Sequence, residues 1–254
     1  MNQAPRHIGI AVSALEPPRA RVGLIIPSVN TMTEPQFARF CPPELGVHVA
    51  RLRMSGKWKR PFAVLQDEIA NAAAMLGDAK PGLIVFHCTG ASMREGPAGD
   101  VIVRDIIREA AGLDSITTGG AVVEALTALN IRRLVLISPY VQSNNDTEVA
   151  YLRKADFDVL SDVALSLPGG DTYTKVTPAE WTEIAAAHAR DDADGYFLAC
   201  TNTRQIEAIE AIEQRLGKPV VSSNQAVMWA SMKRLREQLG FVGRLPGVGR
   251  LMTM

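Results

Sequence analysis

Two cysteines occupy matching places in this 254-residue chain, each at the end of an apolar run and each followed by a threonine. Cys88 ends the stretch Gly-Leu-Ile-Val-Phe-His-Cys, and Cys200 ends Gly-Tyr-Phe-Leu-Ala-Cys. Short apolar runs of this kind are typical of buried strands, so both thiols are predicted at the carboxyl ends of strands. A deprotonated thiol is a nucleophile and can also move protons. We expect the two thiols to face each other across one active site.

The residues after each cysteine favour a chemical role. A lone cysteine in a strand is more often a small core residue, but a Thr-Gly turn follows Cys88 and a Thr-Asn turn follows Cys200. The second turn can cap the next helix, which places Cys200 beside free backbone N–H groups and the positive end of a helix dipole. Both effects favour a thiolate. Cys41 precedes two prolines and has no counterpart elsewhere, so we interpret it as incidental.

The sequence offers no other catalytic constellation. His87 adjoins Cys88, but neighbouring strand residues point to opposite faces, so we expect His87 to pack under a helix. No Ser-His-Asp or Cys-His-Asn arrangement can be argued, and neither the G-x-G-x-x-G pattern nor the P-loop pattern is present. No C-x-x-C or histidine-rich spacing suggests zinc. We therefore predict chemistry without a metal or a cofactor.

Uncharged polar residues gather at the predicted strand ends. The alternative interpretation is that each of them simply forms a turn or a cap. Together they predict a cleft rich in neutral donors, which suits a carboxylate held by hydroxyls, amides and helix N-termini. Arg94 and Arg204 could reach this cleft, but we interpret each as solvated. The candidate substrate-binding residues are Ser28, Asn30, Thr89, Gly90, Tyr140, Thr201 and Asn202, with Thr118 and Ser223 in a repeated segment.

The fold is predicted from alternation and repetition. Predicted strands alternate with helices of about 10 to 15 residues, which indicates βαβ units and parallel sheets. Three segments recur in the same order at offsets of 111, 112 and 105 positions, and the offset of 112 relates the two cysteine strands. Such a pattern indicates a duplicated domain. We predict an α/β fold of two pseudo-symmetric parallel-sheet halves, with the active site in the cleft at the carboxyl ends of the strands.

The boundaries of the halves follow from the repeat. We place the first α/β half at residues 21–129 and the second at residues 130–223. A C-terminal helix at about residues 224–238 is expected to pack back on the first half. Residues 1–20 and 240–254 are predicted to be tails without regular structure.

Composition excludes several classes of partner. Lysine plus arginine and aspartate plus glutamate number 27 each, so no net field attracts nucleic acid or an anionic membrane. No apolar run reaches the roughly 20 residues that span a bilayer, and residues 8–15 match a secretory signal poorly. Three cysteines are an odd and small number for a secreted disulfide scaffold. We predict a cytoplasmic protein, and the sequence leaves homo-oligomerisation open.

Four segments resemble one known family. They are residues 22–31 (VGLIIPSVNT), 138–140 (SPY), 199–202 (ACTN) and 218–226 (KPVVSSNQA). These segments resemble the maleate cis-trans isomerase and arylmalonate decarboxylase branch of the aspartate/glutamate racemase superfamily, and the similarity covers about residues 20–240. The resemblance implies two pseudo-symmetric halves with a small carboxylate substrate between them, which agrees with the repeat.

The resemblance also implies roles for the two cysteines. In similar isomerases the first thiolate, here Cys88, adds to the double bond of maleate, the C2–C3 bond rotates, and elimination gives fumarate while the second thiol, here Cys200, handles protons. Asn30, Tyr140 and the turns after the cysteines would hold the carboxylates. Related decarboxylases keep only the second-half cysteine, so the presence of both argues against a strict arylmalonate decarboxylase.

Two segments depart from the family pattern. The turn Cys-Thr-Gly-Ala-Ser at residues 88–92 is not typical of maleate isomerases, and Gly-Gly-Asp at residues 169–171 stands where a substrate-holding asparagine is expected. Racemisation of an amino or hydroxy acid and decarboxylation of a malonate therefore stay open beside isomerisation. The alternative from another class is a non-catalytic two-lobe protein that binds a carboxylate.

Overall fold

Two parallel sheets with the same strand order form the centre of the molecule. The computed structural model describes residues 16–55, 59–239 and 248–254. The strands of the first sheet are β1 (Ala20–Pro27), β2 (Leu45–Leu52), β3 (Leu83–Phe86) and β4 (Ser115–Thr117), and those of the second are β5 (Arg133–Ser138), β6 (Asp158–Ala164), β7 (Gly195–Leu198) and β8 (Val220–Ser222). The spatial orders are β2-β1-β3-β4 and β6-β5-β7-β8. The prediction of an α/β fold with two matching parallel-sheet halves is confirmed.

The sequence of each strand accounts for its place in the sheet. Every residue of β3 and β7 is buried, as unbroken apolar runs are when helices cover both faces of a parallel sheet. The edge strands β2 and β6 carry mostly half-buried residues. Cys88 follows β3 by two residues and Cys200 follows β7 by two residues, so the two thiols occupy equivalent positions at the carboxyl ends of central strands.

Helices connect the strands throughout. They are α1 (Thr33–Phe40), α2 (Phe62–Asp78), α3 (Thr89–Met93), α4 (Gly96–Ala111), α5 (Thr118–Ala128), α6 (Gln142–Lys154), α7 (Gly170–Tyr173), α8 (Pro178–Ala187), α9 (Ile209–Leu216) and α10 (Ser223–Leu239), with 3₁₀ helices at Gln205–Ala208 and Arg250–Thr253. Gly112 after α4 and Gly217 after α9 both have a left-handed backbone, with φ of 66° and 68°. Glycine adopts this helix-ending conformation without a steric cost.

Three segments differ from the sequence-based expectation. Glycine and proline at residues 96 and 97 predict a loop over residues 89–99, but this stretch contains the short helix α3 and the start of α4, and Gly96, at φ of 72°, lies at the break between them. Proline and glycine predict a second loop at residues 167–171, but α7 begins within it at Gly170. The predicted C-terminal coil ends in a 3₁₀ helix, since Leu251 and Met252 are buried against the core. Residues 1–15 and 240–247 of the predicted tails lie outside the described residues.

One apolar core joins the two sheets. Buried side chains of β1, β3, α5, β5, β7 and α10 form a single cluster, and a second cluster lies between the first sheet and helices α2 and α4. Helix α10 packs on α5 and also contacts β1 and β3. We propose that the halves divide between residues 129 and 130, just after α5 ends. No helix in the described ranges is long and apolar enough to cross a membrane.

Candidate active site

A cavity of about 480 Å³ opens between the carboxyl ends of the two sheets. Both Cys88 and Cys200 line it, although neighbouring atoms bury most of their surface and leave Cys88 8% exposed and Cys200 5% exposed. Parallel α/β sheets bind ligands at this end because the connecting loops and helix N-termini converge there. The cavity therefore brings together one thiol from each half of the repeat.

The cavity includes most of the predicted site residues. The predicted residues that line it are Cys88, Cys200, Asn30, Gly90, Tyr140, Thr201 and Asn202. Ser28 and Thr89 are not among its lining residues. The backbone N–H of Ser28 donates to the carbonyl of Leu52. The Thr89 hydroxyl donates to Ser223 Oγ at 2.8 Å and so connects the two halves beneath the thiols.

Cys200 has an unusual backbone that several contacts maintain. Its φ is 118°, a region that residues with a side chain rarely adopt and that costs about 1–3 kcal/mol. The Cys200 N–H donates to Ser223 Oγ at 3.1 Å, and Thr203 Oγ1 donates to the Cys200 carbonyl at 3.4 Å. These contacts from both sides hold the Cys200 side chain toward the cavity.

Burial keeps both thiols protonated at neutral pH. Burial raises the pKa of Cys88 to about 11 and that of Cys200 to about 12. The Tyr140 hydroxyl and the Asn202 N–H, which is 3.3 Å from Cys200 Sγ, donate to that sulfur and partly offset burial. The predicted backbone donor beside Cys200 is thus present and lowers the pKa of this thiol as expected, but burial raises that pKa by more. Desolvation is the larger effect because it disfavours the charged form.

Cys88 has its own set of donors. The backbone N–H groups of Ala91 and Gly90 lower its pKa, as does the positive charge of Arg94. The space beside Gly90 is open, since a Cβ added at this position would meet no atom within 4 Å. The turn after Cys88 therefore leaves room beside the sulfur while its N–H groups stabilise negative charge.

Asparagine side chains connect the two halves at the cavity floor. Asn30 Nδ2 donates to the Thr201 carbonyl at 3.1 Å and to Thr201 Oγ1 at 3.0 Å, while its Oδ1 accepts the N–H groups of Met32 and Thr33. The amide of Asn30 therefore has no remaining hydrogen-bonding capacity. Asn202 Oδ1 accepts the N–H of Thr31 at 2.9 Å. Asn30 consequently positions the turn after Cys200 more directly than it offers a donor to a ligand.

His87 lies outside the cavity, in a buried polar network. Its Nδ1 is 3.0 Å from Thr118 Oγ1 and its Nε2 is 2.9 Å from Asn224 Oδ1. Because Asn224 Nδ2 donates to Gln36 Oε1 and to the Thr201 carbonyl, Asn224 Oδ1 accepts from Nε2–H of a neutral imidazole. Burial lowers the pKa of His87 to about 4. Its partners exclude His87 as the base for Cys88, in agreement with the strand geometry.

The neutral state of His87 predicts a loss of stability in acid. The unfolded chain takes up a proton below pH 6.5, whereas the folded chain does so only near pH 4, so the free energy of unfolding falls across this window. The expected contribution is about 3 kcal/mol. His87→Gln, which keeps a donor and an acceptor but does not titrate, should show a shallower fall in urea unfolding between pH 6.5 and 4. His188→Gln, at an exposed position, is the control; equal slopes for His87→Gln and the unmodified protein would contradict the assignment.

Several lining residues escaped the sequence-based prediction. Asn144 and Thr147 of α6 line the cavity three positions apart, and Arg94, Lys59 and Asp171 make its wall partly charged. The prediction that Arg94 is solvated is wrong, since its side chain is only 17% exposed and its Nη1 donates to the Arg60 carbonyl at 3.1 Å. Arg204 pairs with Glu207 and is not among the lining residues. Helix α6 begins at Gln142, two residues after Tyr140, and this closeness to a predicted site residue was the one sequence signal that could have placed Asn144 and Thr147 at the cavity.

Within the described part of the chain, no group of three or more histidine, cysteine, aspartate or glutamate side chains is arranged to hold a metal ion. The three cysteines are free and buried. The arrangement can thus supply two thiols, a tyrosine hydroxyl and backbone N–H groups to a ligand between the halves.

Comparison with known proteins gives a consistent result. The family model described as arylmalonate decarboxylase matches residues 22–252. The maleate isomerase of Pseudomonas putida is 28% identical over 92% of this chain and 97% of its own length, and the arylmalonate decarboxylase of Bordetella bronchiseptica is 27% identical over 91% and 95%. A cysteine-to-alanine variant of the maleate isomerase from Pseudomonas putida S16, solved with maleate, superimposes with a TM-score of 0.83 at 25% identity over 92% of this chain and 97% of that one.

Proposed function

Since the chain belongs to the arylmalonate decarboxylase family, we propose that it is a cofactor-independent isomerase that converts a small cis-dicarboxylate of the maleate type into its trans isomer. The observation that carries the proposal is the presence of two thiols, one from each half, in the wall of one cavity. The two thiols follow equivalent central strands of the two sheets, so one ligand in this cavity can meet both. Similarity to maleate isomerases supports the same assignment.

Cys88 is the proposed nucleophile. Loss of its proton on substrate binding gives a thiolate that the Gly90 and Ala91 N–H groups and the Arg94 charge stabilise. Its sulfur forms a bond to C2 of the substrate, and the electron pair of the double bond moves to C3 and the adjoining carboxylate. The C2–C3 bond is then single and rotates. Reversal of the addition breaks the C–S bond and releases the trans isomer with the thiolate restored.

Cys200 is the proposed acid and base. Its pKa of about 12 keeps it protonated at neutral pH, so it can give its proton to C3 of the adduct. The Tyr140 hydroxyl and the Asn202 N–H then stabilise the Cys200 thiolate. After rotation the thiolate takes the same proton back as Cys88 leaves. The C3 proton thus returns to Cys200, and the proton that Cys88 gives up to solvent when substrate binds returns to Cys88 when product leaves, so no oxidant or cofactor is required.

Recognition of the carboxylates is proposed to involve mainly uncharged donors. Thr201 Oγ1 accepts from Asn30, which leaves its own O–H free to donate toward the cavity. The Asn144 side chain lines the cavity and makes no hydrogen bond within the described residues. Charge-assisted hydrogen bonds from such groups hold a carboxylate while they exclude bulk water. Ser28 and Thr89 do not line the cavity and have no place in the proposal.

Decarboxylation of a substituted malonate is the second candidate. The cavity volume of about 480 Å³ lies in the range of roughly 300–1,000 Å³ that holds drug-sized ligands, and Val29, Val141 and Leu167 give part of its wall an apolar character. Such a wall accommodates a bulky substituent that maleate lacks. The cysteine from the first half favours isomerisation, because protonation after decarboxylation needs only one thiol.

A substrate panel separates the candidates. We expect maleate to lose its ultraviolet absorbance as fumarate accumulates, with fumarate identified by chromatography. Release of CO₂ from phenylmalonate without turnover of maleate would instead assign a decarboxylase, and exchange of aspartate or glutamate enantiomers would assign a racemase. Binding of dicarboxylates in calorimetry without turnover of any of these compounds would support a non-catalytic two-lobe protein.

A further inference from the structure

Glu148 is a buried carboxyl group without a partner. The residue is 0% exposed, and neither Oε1 nor Oε2 has a hydrogen-bond partner within the described residues. Buried carboxyl groups are otherwise paired or hydrogen-bonded because transfer from water is costly. Glu148 takes no part in the proposed steps above, so its presence beside the site requires a separate explanation.

The position of Glu148 connects it to both thiols. It lies on α6 four residues after Asn144 and directly after Thr147, and both of these residues line the cavity. Residues four apart share one face of a helix. Helix α6 packs against α3, which begins immediately after Cys88. Glu148 is therefore buried on a helix that both lines the cavity and packs against the helix that begins after Cys88.

Charge on Glu148 affects three groups of the site. A negative Glu148 raises the pKa of Cys88, of Cys200 and of Tyr140. Arg94 acts on Cys88 with the opposite sign. Burial raises the pKa of Glu148 itself to about 8, so it ionises before either thiol does.

Asp162 and Asp100, on elements packed against α6, have partners of their own. From β6, Asp162 accepts from Asn145 and Gln142. From α4, Asp100 accepts from the Thr117 hydroxyl. Lys154 at the end of α6 lies beside Gly96. None of these three groups is among the charges that shift Cys88 or Cys200 most strongly.

We propose that Glu148 is a positioning residue that controls thiolate formation at Cys88 and Cys200, permitting it while the carboxyl group is protonated and opposing it once the group is ionised. The effect on catalysis rests on the proposed two-thiol reaction, whereas the effect on thiol reactivity does not. Glu148 thereby sets an upper pH limit to activity. A charge held in the low-dielectric interior is effective because water does not screen it.

Site-resolved alkylation tests the proposal. Unmodified protein, Glu148→Gln and Asp146→Asn are treated with iodoacetamide from pH 6.5 to 9.5, and the peptides of each cysteine are quantified by mass spectrometry. Asp146 is an exposed acid on the same helix, so its substitution removes an equal charge at a solvated place. At pH 9 we expect Cys88 and Cys200 to react about tenfold faster in Glu148→Gln than in the unmodified protein, with no difference at pH 6.5 and none for Asp146→Asn.

Cys41 is the internal control for folding. It is buried and does not line the cavity, and burial alone raises its pKa to about 12. Faster labelling of Cys41 in Glu148→Gln would indicate unfolding, and Glu148→Met, which fills the same space without a polar group, would then replace it. Superimposable Cys88 and Cys200 profiles for a folded Glu148 variant and the unmodified protein would overturn the proposal. Absence of maleate turnover, by contrast, would refute the proposed function and leave this comparison valid.

Discussion

Cys88→Ser is expected to lower kcat for maleate isomerisation by about a thousandfold or more, equivalent to about 4 kcal/mol of transition-state stabilisation. Serine occupies nearly the same volume as cysteine, and Cys88 is almost fully buried. A hydroxyl group is a far weaker acid than a thiol, so the Gly90 and Ala91 N–H groups and Arg94 no longer yield an anionic nucleophile. Initial rates from the ultraviolet loss of maleate measure the effect.

Cys41→Ser provides the matched control for this prediction. Cys41 is also buried but lines a different depression, beside α1 and β2. We expect its substitution to alter the thermal midpoint while kcat stays within about twofold of the unmodified enzyme. A Cys88→Ser variant that retained a tenth of the activity, with a folded circular-dichroism spectrum, would remove Cys88 from the role of nucleophile.

Cys200→Ser is expected to lower kcat by about a hundredfold to a thousandfold through a different step. Addition of Cys88 to the substrate still proceeds and water slowly protonates C3, but the group that removes this proton again is lost, so the adduct persists. Ser223 and Thr203 hold the backbone of residue 200 in its unusual conformation, so serine should occupy the same position. Binding should change little, so KM is expected to stay near its original value.

Single-turnover kinetics distinguish this effect from a loss of the nucleophile. Rapid quenching of Cys200→Ser should show substrate consumed in an amount close to the enzyme concentration, followed by slow release of fumarate. Cys88→Ser should show no such phase. If Cys200→Ser isomerised maleate at the original rate, the reaction would need only one thiol, and the pseudo-symmetric pair would have no catalytic meaning.

The fold followed from the sequence because its signals are local and repeated. Apolar runs such as that of β7 are recognisable without tertiary information, and the recurrence of Arg21, Cys88 and Gly112 segments at nearly constant offsets indicates duplication. The short helix α3 was missed because glycine and proline at residues 96 and 97 resemble a loop signal. A glycine-proline pair indicates where a helix is interrupted, but it does not show whether helices lie on both sides of the interruption.

The site was only partly predictable, because side-chain direction and burial are properties of the folded chain. The strand ends located Cys88 and Cys200, but nothing in the sequence shows that burial outweighs the backbone donors and keeps both thiols protonated. In the sequence Thr89 is a candidate donor to a ligand, but in the structure its hydroxyl donates to Ser223 instead. Glu148 has no sequence signal, since one glutamate in a helix is ordinarily exposed.

The covalent adduct is the most direct test of the two-thiol account. Cys200→Ser is mixed with maleate, quenched in acid and digested, and the peptide that contains Cys88 is weighed by mass spectrometry. We predict that this peptide gains the mass of one maleic acid, that the Cys41 peptide does not, and that Cys88→Ser forms no adduct. Turnover of maleate by an enzyme whose Cys88 peptide stays unmodified at every quench time, in Cys200→Ser and in the unmodified protein, would contradict the account.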